Sequence, residues 1–143
     1  GDFVGDLDSR KEKVRTAERI RDRLSVGRIV LVRGNHDPSH DRFERIFDSI
    51  HDLLSFRWPA KGRRIVCSHY PLRSWQGNRG GSLHLYGHTH GRLEEIGRAT
   101  DVGVDCWRYQ PVPLDDLVAM LSVREVVAFP VKKMRRQPDR PAR

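Results

Sequence analysis

Three short apolar runs constrain this chain most, because each ends in groups able to bind a cation or move a proton. Arg28-Ile29-Val30-Leu31-Val32 runs into Arg33-Gly34-Asn35-His36-Asp37. Arg64-Ile65-Val66-Cys67-Ser68 runs into His69-Tyr70-Pro71, and Leu83-His84-Leu85-Tyr86 runs into Gly87-His88-Thr89-His90-Gly91. Apolar, β-branched runs broken by Gly or Pro predict buried strands. The carboxyl ends of parallel strands lie along one edge of an open α/β sheet, where ligands bind. Asn35, His36, His69, His88 and His90 are therefore expected to converge. Taken alone, residues 34–37 also read as a polar turn closed by an Asx hydrogen bond before Pro38. The other two strand ends favour a site.

The intervening segments read as the rest of an α/β domain. Ser9 opens a helix to about Leu24, with Val14, Ala17, Ile20 and Leu24 on one face and charged residues elsewhere. Ser39 or His40 opens a second, with Phe43, Ile46, Phe47 and Ile50 on one side. Leu53 to Trp58 predicts a strand ended by Pro59, Thr100 to Asp105 another, and Leu114 to Leu121 a helix opened at Pro113. Val126 to Val131 is either a last strand or part of a tail. The polar, Gly-rich stretch 73–82 is a loop long enough to be functional.

With 143 residues the chain can build one domain with a sizeable core. No apolar run approaches the ~20 residues that span a bilayer, and no signal peptide is visible, so no membrane partner is expected. Cys67 and Cys106 form neither a disulfide framework nor a paired zinc spacing and read as small core residues. Their scarcity suits a reducing cytoplasm. The net charge is +8, of which residues 131–143 carry +5. That segment, with Pro138 and Pro141, reads as a basic disordered tail beyond a domain over 1–130. The basic character is thus weak support for a nucleic-acid groove, which would also need aromatic and basic residues interleaved.

A carboxylate from Asp2, an amide oxygen from Asn35 and several imidazoles suit borderline divalent cations, Mn, Fe, Zn or Ni, without choosing among them. His36 can transfer a proton near neutral pH, and Asp37 can orient its ring. In a regular strand His88 and His90 would point to one face. His40 and His51 read as exposed and His84 as a strand residue, none of them in the site.

The order Gly1-Asp2, Gly34-Asn35-His36-Asp37, His69 after a strand, then Gly87-His88-Thr89-His90 resembles the calcineurin-like metallophosphoesterases. Residues 68–75 (Ser-His-Tyr-Pro-Leu-Arg-Ser-Trp), together with Val102-Gly103-Val104-Asp105 and Tyr109-Gln110-Pro111-Val112, are similar to small bacterial and phage members. The resemblance implies a β-sandwich flanked by helices, in four α/β/β/α layers. It implies a phosphatase or phosphodiesterase in which two divalent metal ions, about 3.5–4 Å apart, clamp the phosphate and hold a hydroxide for in-line attack.

Carried over to this sequence, Asp2 would bridge the metals, with Asp6 as its rival. Asn35, His69 and His88 would complete one metal position, and His90 would serve the other. His36 would protonate the leaving oxygen or stabilise the phosphoryl charge, Asp37 would orient it, and Arg33 would approach the phosphate. Arg73 and Arg79 read first as solvated loop residues, and the loop with Trp75 is placed to cover a substrate. Ligand imidazoles must be neutral, so activity is expected to fall as pH drops through ~6. Members of the family begin with a strand ending in Asp-x-His, which has no counterpart here. The resemblance therefore implies an N-terminally truncated piece, possessing one complete metal position and little activity alone. The alternative is a non-catalytic metal-binding or protein-interaction scaffold of the same fold. The phosphoester substrate is not specified, and nucleic acid enters only as a substrate.

Overall fold

The computed structural model describes residues 1–59 and 62–127; the expected tail over 131–143 and most of the 126–131 segment lie outside the described residues. The chain is a mixed α/β protein. In order it forms α1 (Arg10–Arg23), β1 (Val30–Val32), α2 (Asp41–Glu44), β2 (Ser49–His51), β3 (Leu53–Trp58), β4 (Arg63–Ser68), β5 (Leu83–Tyr86), β6 (Ala99–Asp101) and α3 (Leu114–Ser122). Short 3-10 turns occupy Asn78–Gly80 and Val104–Trp107.

Two sheets result. β1 pairs in parallel with β2, Leu31 opposite Ile50. The other sheet has the order β3-β4-β5-β6, with β3 antiparallel to β4 and the remaining pairs parallel. The first sheet and α1 share one apolar core of Val4, Val14, Ala17, Leu31, Phe43 and Phe47. Phe47 sits edge-on to Phe3 with ring centroids 5.0 Å apart. Ser9 caps α1 by accepting the Glu12 N–H at 3.2 Å. The second core joins Ile65, Leu83 and Leu85 to Leu117, Val118 and Leu121 of α3.

Two expectations need correction. The second helix stops at Glu44, and Ile50 belongs to β2. Backbone pairing wins there: Asp48 N–H donates to Ile29 O at 2.9 Å, Ile29 N–H to the Asp48 carboxylate at 2.7 Å, and Arg33 N–H to His51 O at 2.8 Å. The strand expected over 100–105 ends at Asp101, because the Asp101 carboxylate accepts the Gly103 N–H at 2.8 Å and turns the chain into the 3-10 segment. Among the described residues, no helix is long and apolar enough to cross a membrane.

Candidate metal centre

The carboxyl ends of β1, β4 and β5 meet at the seam between the two sheets. β1 delivers Asn35, β4 delivers His69, β5 delivers His88, and the segment before α1 brings Asp2. Their ligand atoms crowd around His69 Nε2. Asn35 Oδ1 lies 2.7 Å from it, His88 Nδ1 3.2 Å and Asp2 Oδ2 3.3 Å. Asp2, His69 and His88 all offer a ligand atom within 4.8 Å of one another.

A neutral imidazole nitrogen carries one hydrogen at most, so it satisfies only one of these three neighbours. A cation at the centre would satisfy all of them. Bond lengths of about 2.0–2.2 Å put ligand atoms on one ion about 3.0–3.5 Å apart. His69 is buried, and burial lowers its pKa, with the Asp2 carboxylate opposing that shift; the neutral ring is the form a metal needs. Its Nδ1 is buried with no hydrogen-bond partner among the described residues. The donor set fits a borderline divalent cation.

Close backbone packing makes this convergence possible. A Cβ on Gly34 would overlap the Asp2 carboxylate, and a Cβ on Gly1 would come within 2.7 Å of His69 Nδ1. Asp2 (φ 57°), His88 (φ 70°) and His90 (φ 52°) all adopt the left-handed conformation that side chains disfavour. Such strain persists only where surrounding bonds enforce it, and it clusters at functional sites. Two buried carboxylates supply much of the enforcement. Asp37 accepts the backbone N–H groups of Asp2 (2.8 Å), Phe3 (2.7 Å) and Gly34 (2.9 Å). Asp101 accepts from the Thr89 hydroxyl at 2.6 Å and the Gly91 N–H at 3.2 Å. Lys13 of α1 adds a bond from its ammonium to His36 O at 2.9 Å.

These contacts revise several expected roles. Asp37 is a positioning residue for two loops, and the carboxylate beside the His36 ring is Asp6, at 3.6 Å. Asp2 holds the place for which Asp6 was the rival: its Oδ1 accepts the His36 N–H at 2.8 Å while Oδ2 faces His69. His90 is not gathered with Asp2, His69 and His88. Its side chain is 63% exposed, Nδ1 lies 2.5 Å from Asp105 Oδ2, and this hydrogen bond lowers the Asp105 pKa. Arg33 is paired with Glu44 at 2.8 Å and lines a cavity next to the cluster.

Other residues depart from expectation in their surroundings. Trp75 packs against His84, donates to Ser82 O at 3.2 Å and lines a different cavity from Arg33. His40 and His51 are half-buried, His40 capping α2. Cys67 is shielded enough that burial raises its thiol to about 11, whereas Cys106 is exposed. Lys13 and Asp101 went unnoticed in the sequence. Lys13 is lost among the basic residues of α1, and only its position at the end of a strand, before Gly103, distinguishes Asp101.

Over 132 residues the chain is 30% identical to the uncharacterized protein MJ1445 of Methanocaldococcus jannaschii, across 87% of this chain and 67% of that protein. The chain belongs to the MJ1445 family. No protein-family model matches it. A crystal structure of a protein of unknown function, AQ665 from Aquifex aeolicus, superposes with a TM-score of 0.56 over 84% of the chain and 73% of its own length. At 23% identity AQ665 shares the fold with this member of the MJ1445 family, and the likeness extends no further.

Proposed function

We propose that this member of the MJ1445 family is a calcineurin-like metallophosphoesterase that hydrolyses phosphoesters at a divalent-metal centre. Its two sheets would then be the halves of the helix-flanked sandwich. The observation carrying the reading is the convergence of Asp2, Asn35 and His88 on His69 Nε2, with Asp2 and His88 in strained left-handed conformations. Asp2, Asn35, His69 and His88 would hold one metal ion. In a dinuclear centre Asp2 and His90 would contribute to a second position, with Asp105 setting the orientation of His90. Metal there would supply Lewis-acid polarisation of the phosphoryl group and acidify a water.

The chain's own residues supply the rest. His36 has a side chain 38% exposed beside the cluster and gives its proton to the departing alcohol oxygen. The phosphorus–oxygen bond to that alcohol breaks, water forms the new one, and the proton lost by water passes to solvent. Arg33 uses one guanidinium nitrogen on Glu44 and retains donors for a phosphate oxygen. Asp37 keeps the Asp2 and Asn35 loops in register.

The test is hydrolysis of an aryl phosphodiester with and without manganese. Metal-dependent turnover is expected where both metal positions are complete, with little from this chain alone, and His36→Ala should reduce kcat by about 10²–10⁴-fold. No turnover with any divalent metal, even when the sequence encoded upstream of Gly1 is included, would refute the proposal.

A further inference from the structure

One cavity adjoins the candidate metal centre. Its volume is about 410 Å³, within the range of small-molecule sites, and Asn35 and His69 form part of its wall. Its lining also includes an apolar set: Leu53 at 52% exposure, Tyr70 at 49% and Leu72.

Tyr70 links this wall to the metal centre. Its ring packs edge-on to His88 at 4.5 Å and His69 at 4.9 Å between centroids. The wall is fixed at both ends. Ser68 Oγ donates to Tyr70 O at 2.7 Å, and Leu72 N–H donates to His84 Nε2 at 2.9 Å. His84 is fully buried and plays no part in the proposed chemistry. Its Nδ1–H is held by Val66 O at 3.0 Å, which leaves Nε2 as the acceptor. A buried histidine thus anchors the backbone beside Tyr70. The charges in the cavity also select: Arg33 is shared between Glu44 and the phosphoryl group of the proposed substrate, and Asp52 adds a carboxylate. A second anionic group on a substrate would gain little there and would meet Asp52.

We propose that this cavity is the subsite for the organic group of the phosphoester, and that it takes an uncharged aromatic ring packed against Tyr70. The substrate class is an aryl or nucleoside phosphoester, and polyphosphates and small alkyl esters are disfavoured. This inference rests on the phosphoesterase reading. The experiment measures calorimetric binding of phenylphosphonate, methylphosphonate and methylenediphosphonate to the manganese-loaded protein.

Phenylphosphonate is expected to bind about tenfold more tightly than methylphosphonate. That ratio should shrink to about twofold in Tyr70→Ala and fall in Leu53→Asn. The ratio normalises any general loss of metal or fold. Equal affinities for the two monophosphonates, a ratio unchanged in both variants, or tightest binding of methylenediphosphonate would overturn the subsite while leaving the phosphoesterase reading intact. Failure of all three probes to bind with manganese present would overturn both.

Discussion

Gly34 has no side chain where one would collide with the carboxylate of Asp2. At this scale the candidate centre is a problem of close approach: two loops from distant parts of the chain meet backbone to backbone, and the Asp37 carboxylate ties them by accepting three backbone N–H hydrogen bonds. Gly34→Ala is therefore expected to displace Asp2 and weaken manganese binding by about 10–100-fold, as loss of an outer-shell partner does. Calorimetry on the folded variant checks this; unchanged affinity would mean that Asp2 is not a ligand. Residue type announced the candidate ligands, since Asn, His and Asp after strands are visible in a sequence. Their partners were less visible. Asp37 looked like the companion of the neighbouring His36, yet adjacency along the chain says little about where a carboxylate points.

Among the elements, most strands and helices follow from local pattern. α1, β3, β5 and α3 match their apolar periodicity to within a residue or two. The 39–50 segment does not, because Phe43, Ile46, Phe47 and Ile50 suit a helix as well as a helical turn followed by a strand. Only the presence of β1 decides between them, through the parallel ladder from Val30–Ser49 to Val32–His51. The His88–Gly91 loop depends similarly on β6, whose last residue, Asp101, holds it. Asp101→Asn leaves one acceptor oxygen for the Thr89, Gly91 and Gly103 donors, which use both carboxylate oxygens of Asp101. A loss of about 1–3 kcal/mol is expected in urea unfolding, with faster amide exchange at Gly91 and no change at Phe3.

For the whole molecule, stability should respond to pH and to metal. Burial lowers the His84 pKa below its ordinary 6.5, with the Val66 carbonyl partly opposing the shift. The unfolded chain therefore takes up the proton first. Stability from the neutral ring is complete above about pH 6.5 and is lost as pH falls toward the folded-state pKa. The melting temperature should accordingly decline below that pH, less steeply in His84→Gln. A divalent cation at one hundred times its Kd should add about 2.7 kcal/mol, removable by chelation. An unchanged melting temperature on addition of manganese, zinc, iron or nickel would argue against a metal centre.

The sequence by itself determined the α/β class and the residues capable of ligation, because strand periodicity and side-chain chemistry are local properties. Tertiary structure decided which of them meet. It brought Asp2, Asn35, His69 and His88 together, sent His90 to Asp105, and gave Asp37 and Asp101 their backbone amides. Those outcomes depend on left-handed turns and on contacts between distant segments, such as Asp2 with His36 and His69 with Asn35, which no local pattern encodes.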